Sequence, residues 1–358
     1  MTQTMRLEQP MTEQHLWMRA EVRNTERRAP ITPTDAGTLV ASGAQVTVER
    51  SSQRIFDIEA YASVGCEIAD TGSWVDAPAD AFIVGIKELP TEPEALRHTH
   101  IYFAHAYKGQ DGAEELLARF TRGGGELLDV EYLTANQRRV VAFGYWAGYV
   151  GASLALLQAR DALIGPLAPM GRAELDRSVR QSSSGPGSAL VIGARGRSGR
   201  GAVDALVGAG WDVTKWGLVD TADLDKDALL RHELLVNCVV THRPQEPFVT
   251  SDDIGAKGRR LRVIGDVTCD VTSANNVLPI NTSVTSWDVP ARRLGMPSDG
   301  ERLDVIAIDN LPSLLPLEAS VSFSADFTPL LVDLAERTGP FAAAQETFRQ
   351  ATAALQRG

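Results

Sequence analysis

Apolar residues recur along the chain in short blocks. Leu16–Ala20, Gln45–Glu49, Ala81–Ile86, His100–Ala104 and Glu126–Val130 each read as a buried strand. Helical stretches fall between them. Thr32 followed by Pro33 predicts an N-cap and first turn for a helix ending near Gly43, because the Thr oxygen can accept from a first-turn N–H and Pro lacks the donor that would be orphaned there. Further helices are predicted over Asp57–Val64 and Gly112–Thr121. Strand alternating with helix predicts β-α-β units and a largely parallel sheet.

The alternation resumes at Ala189–Gly193, Val213–Trp216, Leu234–Val240, Leu261–Asp266 and Asp304–Ile308, which predicts a second doubly wound α/β unit. Val140–Ala159, preceded by Arg138 and Arg139, carries no charge. Gly144, Gly148 and Gly151 would let another backbone approach it closely, which suits a lipid helix pair or a helix buried between two soluble domains. The second is expected, since no other segment of the chain would accompany it into a bilayer. Gly165–Ser188, with its QSSSGPGS run, reads as a linker or a loosely ordered connection. Asp326–Gln356 reads as an amphipathic helix folding back on the first domain, and Met1–His15 as a polar tail without a secretory core.

A length of 358 residues fits two domains, and 44% hydrophobic with 23% charged residues excludes a fibrous or disordered chain. Acidic residues number 46 against 35 basic ones, and the net charge of −11 argues against nucleic acid and anionic membranes as partners. The cysteines, Cys66, Cys238 and Cys269, show no C-x-x-C spacing, so neither a disulfide framework nor a structural zinc is expected and a reducing cytoplasm is the natural compartment. His98 and His100 are read as facing opposite ways, and no metal site is expected from them or from the acids. Neither G-x-S-x-G nor H-E-x-x-H occurs, which leaves hydrolase chemistry without a foothold.

Three places carry candidate chemistry. The apolar run ending at Gly193 leads into Gly193-x-x-Gly196-Arg197-Ser198-Gly199 and then a helical pattern, a strand-turn-helix suited to a dinucleotide pyrophosphate. The spacing is not G-x-G-x-x-G, so a purely structural glycine turn stays open. The carboxylate expected to grip the adenosine ribose is absent at Gly217; either Asp220 reaches back or ribose recognition is unusual, and Arg197 and Lys215 keep NADP in view. Lys87 and His105 each follow a predicted strand, where a parallel sheet delivers functional groups to its carboxyl edge. Together they could serve as an acid/base pair, against the ordinary readings of a solvated lysine and a hydrogen-bonded core histidine. Arg23, Arg27 and Arg28, and the Arg138-Arg139 pair, could clamp carboxylates or could be solvated loop charges.

With these segments assembled, LWMRAE, ERRAPITP, GSW at Gly72–Trp74, GIKELP, HIYFAHAYKGQ, QRRVVAFGYWAGYVGA, VIGARGRSGRGA and AIDNLPSLLPLEAS make the chain resemble the NAD-dependent, lysine-forming saccharopine dehydrogenases of the alanine dehydrogenase and transhydrogenase superfamily, from Leu16 to Leu330. The resemblance implies an α/β fold of two doubly wound Rossmann-like domains with mostly parallel sheets joined by a long apolar hinge helix. In it, 1–139 plus 320–358 form the substrate-binding and catalytic domain, 140–188 the hinge helix and linker, and 189–319 the dinucleotide-binding domain. It implies interconversion of saccharopine, NAD and water with L-lysine, 2-oxoglutarate and NADH. Lys87 and His105 become the acid/base residues, and Arg28, Gln110, Arg139 and Phe143 touch substrate, with Glu131 beside the pair and Thr268, Cys269 and Asp270 beside the substrate. Gly193, Gly196, Arg197, Ser198, Gly199, Thr221, Arg138, Val240, Val267, Ile308, Asp309, Asn310 and Leu311 would hold NAD, preferred over NADP.

The sequence departs from the family pattern at Gly217 for an aspartate, Arg23 for a lysine and Ser198 for a cysteine. Gly217 and Arg23 suit a rival on the same scaffold, an imine reductase or opine-type dehydrogenase acting on another amine and keto acid. A non-catalytic NAD-binding protein is the second rival. Partners are expected to be a small amino acid and a keto acid, with the chain a monomer or small homo-oligomer.

Overall fold

The computed structural model describes residues 14–107, 110–136, 138–182, 185–241, 243–295 and 302–355. The chain divides into two compact units, Met1–Ala142 with Ser320–Gly358, and Phe143–Ala319. The first opens with β1 (His15–Met18), α1 (Pro33–Ala41), β2 (Gln45–Glu49), α2 (Ile58–Ala62), β3 (Glu67–Ala69), β4 (Phe82–Val84), β5 (Thr99–Tyr102), α3 (Ala113–Gly123) and β6 (Glu126–Asp129). A short antiparallel hairpin, β7 (Thr134–Ala135) with β8 (Arg138–Arg139), follows. The six-stranded sheet runs β3-β2-β1-β4-β5-β6, parallel throughout. Its order reverses between β1 and β4, so the crevice at the carboxyl ends of those two strands is the natural place for a site. Thr32 accepts from Asp35 N at 3.2 Å and Pro33 fills the first turn, which closes the N-terminus of α1 as its sequence predicts.

The second unit begins with α4 (Gly144–Ala159), then α5 (Arg172–Gln181), β9 (Ser188–Ile192), α6 (Arg197–Gly208), β10 (Asp212–Trp216), α7 (Leu218–Ala222), α8 (Lys226–Leu230), β11 (Leu234–Asn237), β12 (Val263–Asp266), β13 (Arg292–Gly295) and β14 (Leu303–Ile306). Its sheet runs β10-β9-β11-β12-β14-β13, parallel except for β13 at the edge. The apolar α4 is explained within this unit. A Cβ on Gly148 would stand 1.7 Å from Ser198 O and one on Gly201 1.9 Å from Tyr145 O, so glycines on both helices let α4 and α6 touch backbone to backbone. Val150, Ala152, Leu154, Ala155 and Leu156 complete the burial, in one core with Val191, Leu206, Val236 and Ile306. Among the described residues no helix is long and apolar enough to cross a membrane.

The chain returns to the first unit through α9 (Pro316–Val332), within which the boundary falls, and α10 (Gly339–Leu355). Phe348 of α10 packs with Leu117, Phe120 and Leu127, so the C-terminal segment does fold back there, but as part of two helices broken at 333–338.

Other expectations need correction. Gly165–Ser188 is not a loose linker throughout: RAELDRSVRQ forms α5, whose Leu175 and Val179 are buried against the second core. The strand expected from Leu16 starts one residue earlier, and His15, assigned to the tail, is buried with its Nε2 2.8 Å from Thr47 Oγ1. The rest of the expected tail, residues 1–13, lies outside the described residues. His98 and His100 do not face opposite ways. Positions two apart on a strand share a face, and their rings lie 6.4 Å apart. They are core histidines: His98 Nε2 lies 3.0 Å from Ala77 O, and His100 sits edge-on between Trp74 and Phe120. Burial pushes the His100 pKa well below the ordinary histidine value. Among the described residues no group of three or more His, Cys, Asp or Glu side chains could hold a metal.

Candidate active site

Three neighbouring strands of the first sheet each deliver one polar side chain at the carboxyl edge. Lys87 follows β4 in the Gly85-Ile86-Lys87 turn, His105 follows β5, and Glu131 follows β6. The first two loops are stitched together by backbone, with Gly85 N donating to Ile101 O at 3.0 Å and Phe103 N to Ile86 O at 3.0 Å. Asp129 Oδ1 accepts from Glu131 N at 2.9 Å and caps the short 3-10 turn that presents Glu131. His105 stands at φ 53°, a left-handed backbone unusual for a side chain with a Cβ and of a kind that clusters at functional sites.

The Glu131 carboxylate joins an imidazole and a guanidinium. One oxygen lies 3.2 Å from His105 Nδ1, and the other accepts from Arg139 Nη2 at 2.7 Å. Glu131 is 11% exposed and His105 46%, so the carboxylate is recessed while the imidazole reaches solvent. A carboxylate on Nδ1 fixes the ring's orientation and leaves Nε2 for outside chemistry.

A buried pair lies within the electrostatic reach of Lys87. Arg28 Nε and Nη2 donate to the two oxygens of Glu26 at 2.7 and 2.6 Å, both side chains being buried. Burial pushes the Glu26 carboxyl up, but the charge and hydrogen bonds of Arg28, with the charge of Lys87, outweigh it and hold Glu26 below the usual range. The other arginines of the cluster lie apart in role: Arg23 pairs with Glu88, and Arg27 Nη1 donates to Asn24 O at 2.8 Å. Gln110 opens the turn into α3 and, with Glu114, Glu115 and Arg122, lines a surface hollow of about 850 Å3 that includes none of Lys87, His105 or Glu131. Arg138 is exposed on β8.

In the second unit the glycine turn follows β9. Gly193 has φ 81°, and a Cβ on Gly199 would stand 2.1 Å from Gly193 O, so the turn closes only without side chains at these points. Gly196 is the N-cap of α6 and offers no side chain to cap the first turn of Arg197, Ser198 and Gly199. That fits a pyrophosphate, which a helix N-terminus without a side-chain cap attracts through oriented N–H groups and the helix dipole. At the end of β10, Asp220 Oδ2 accepts from Gly217 N at 2.7 Å, a contact that caps the start of α7.

The remaining residues singled out from the sequence collect at the same carboxyl edge. Thr221 lies in α7, Val240 beyond β11, Val267, Thr268, Cys269 and Asp270 beyond β12, and Ile308, Asp309, Asn310 and Leu311 beyond β14. Asp266 organises the β12 loop: its carboxylate accepts from Asn237 Nδ2 at 3.2 Å, Thr268 Oγ1 at 2.8 Å and Asn281 Nδ2 at 3.1 Å. Cys269, at φ 52°, turns its thiol to Asp266 O at 3.4 Å. Phe143 stands at the N-cap of α4.

The family model described as "Alanine dehydrogenase/PNT, N-terminal domain" matches residues 17–150. A protein of Emericella nidulans named saccharopine dehydrogenase [NAD(+), L-lysine-forming] is 40% identical, over 95% of this chain and 98% of its own length. The chain belongs to the NAD-dependent, lysine-forming saccharopine dehydrogenase family. A Schizosaccharomyces pombe protein of the same name is 37% identical over 90% of this chain and 94% of its own. Solved structures of a Sinorhizobium meliloti transhydrogenase and of an L-alanine dehydrogenase share the fold. The first has a TM-score of 0.61 at 13% identity and covers 90% of this chain and 95% of its own. The second has a TM-score of 0.61 at 18% identity and covers 94% and 93%.

Sequence reasoning missed two residues of the first unit. Arg19 and Glu21 lie in the LWMRAE segment, where Arg19 falls inside the predicted strand Leu16–Ala20, yet both side chains turn onto the Lys87 loop. The signal available was a pair of opposite charges at the carboxyl end of the sheet's central strand, where a parallel sheet places its site.

Proposed function

We propose that this family member interconverts saccharopine, water and NAD with L-lysine, 2-oxoglutarate and NADH in the cytoplasm. The observation that carries the reading is the delivery of Lys87, His105 and Glu131 from three adjacent strand ends, with Glu131 bonded to both His105 and Arg139. The glycine turn of Gly193, Gly196, Arg197, Ser198 and Gly199 would hold the pyrophosphate, with Thr221, Arg138, Val240, Val267 and Ile308–Leu311 along the rest of the dinucleotide. Held there, NAD would supply the hydride acceptor for the carbon that carries the secondary amine nitrogen, and NADH the donor in the reverse direction.

The chain's own residues do the rest. Lys87 Nζ takes the proton of the saccharopine secondary amine, whose removal frees the nitrogen lone pair to support loss of hydride from the adjacent carbon. His105 Nε2 removes a proton from water as it adds to the resulting carbon–nitrogen double bond and assists collapse of the carbinolamine. Glu131 holds the His105 ring through Nδ1 and balances the imidazolium while it carries the proton. Arg28 and Arg139, each held by a carboxylate, would pair with the substrate carboxylates, and Gln110, Phe143, Thr268, Cys269 and Asp270 would contact the rest of the substrate.

The test offers lysine and 2-oxoglutarate with NADH or NADPH, beside a panel of other amines and keto acids, and follows loss of reduced dinucleotide by absorbance. Consumption of NADH with lysine and 2-oxoglutarate well ahead of the panel supports the reading. Preference for another pair moves the chain to a different amine on the same scaffold, and no consumption with any pair removes catalysis altogether.

A further inference from the structure

Behind Lys87 lies a buried ion pair that touches only its backbone. Glu21, 4% exposed, accepts from Ile86 N at 2.7 Å through one oxygen and from Lys87 N at 3.1 Å through the other. Arg19, 1% exposed, donates through Nη2 to Lys87 O, through Nη1 to Ala20 O at 3.1 Å, and lies 3.6 Å from Glu21. The donor and acceptor of the Lys87 peptide units are thus both held by one side-chain pair from the end of the neighbouring strand. The pair is itself braced. Arg54 donates to Arg19 O at 3.2 Å and to Glu49 O at 2.8 Å, and the Arg19 guanidinium stands over the Tyr102 ring at 5.5 Å. Room for it exists only because residue 85 is glycine, where a Cβ would lie 2.6 Å from Arg19 Cζ.

Such an arrangement is costly for a loop that need only be ordered. Ordinary turns satisfy their amides with water or neighbouring backbone, whereas here two charges are taken out of solvent to hold them. Burial pushes the Glu21 carboxyl up, opposed by Arg19 and by the two amide bonds. Both of its oxygens accept N–H groups, which the ionised form can do at once.

We propose that Glu21, with Arg19, is a positioning residue for the reaction: it fixes the Ile86–Lys87 backbone so that the Lys87 amine is aimed at the substrate nitrogen. This rests on the reading of Lys87 as the acid/base group. Proton transfer demands the donor and acceptor within hydrogen-bond reach, and a displacement of about 1 Å can cost up to about 100-fold in rate. Glu21 acts on the Lys87 backbone and touches no reacting atom, so its loss should appear in turnover and not in binding.

The experiment compares E21Q, E21D and K87A by steady-state kinetics and NADH binding. E21Q, which keeps size but sets an amide N–H against Lys87 N–H, should lower kcat about 10- to 100-fold while KM for saccharopine and the affinity for NADH stay within about twofold. E21D, which keeps the charge, should recover part of the loss. In the K87A background the E21Q change should leave residual turnover, with or without added ethylamine, unaltered, because no tethered amine remains to be aimed. Three results overturn the inference alone: wild-type kcat in E21Q, a loss confined to KM or NADH affinity, or an equal further loss when E21Q is added to K87A. Wild-type turnover in K87A instead overturns the reading of Lys87, and this inference with it.

Discussion

Two parallel sheets reverse their strand order in the same way, yet the first connection at each reversal is built oppositely. After β1 the segment 19–32 carries Arg19, Glu21, Glu26 and Arg28, whose buried side chains pair with one another and with the Lys87 loop. After β9 the turn 193–196 carries one charged side chain, Arg195, and it is exposed; glycines bring bare backbone to the helix start. The helices that follow differ accordingly. Thr32 closes the N-terminus of α1 with its own oxygen, whereas Gly196 has no side chain to close that of α6. One topology thus presents two kinds of surface. Side chains with fixed charge suit proton transfer and carboxylates, and N–H groups on a helix dipole suit a phosphate.

The comparison can be broken at its most buried point first. Glu26→Gln leaves the Arg28 guanidinium without its bidentate partner inside the first unit, and loss of one member of a buried pair costs about 3–5 kcal/mol, read as a fall in denaturation midpoint. The sign with pH follows from the lowered Glu26 value. Its stabilisation is fully present above the ordinary carboxylate value of about 4.3 and is lost as pH falls through the lower folded value. The gap between wild type and Glu26→Gln should therefore close on acidification below that range; a gap that widens would contradict the pairing with Arg28 as its cause.

Gly199→Ala strikes the other connection. Its Cβ would meet Gly193 O, so the turn must shift, at about 1–3 kcal/mol of stability, with a loss of NADH affinity detectable by fluorescence titration. Unchanged affinity would contradict the assignment of this turn to the dinucleotide. The smallest effect is expected from Thr32→Ala, which removes the α1 cap for about 1 kcal/mol and leaves NADH binding as it was.

These contrasts were unequally legible in the sequence. The central strands of both sheets are short apolar runs and announce themselves, and Gly193 to Gly199 declare a turn by composition alone. One edge of each sheet does not: β3 is Glu67-Ile68-Ala69 and β13 is Arg292-Arg293-Leu294-Gly295, partly exposed segments that need no continuous apolar run, whereas the opposite edges, β6 and β10, were predicted. The helix α5 was hidden because its charged outer face outweighs Leu175 and Val179 and because glycines, serines and prolines flank it. At the candidate site, Lys87 and His105 stood out by following strands. Arg19 and Glu21 did not, because support of one loop's backbone by another strand's side chains leaves no spacing in the sequence.

The most direct measurement is the turnover of Lys87→Met and His105→Gln, taken beside their NADH affinity. Each should lose about 10²–10⁴ in kcat with NADH binding largely preserved. Near wild-type turnover in both would contradict the assignment of proton transfer to these two side chains.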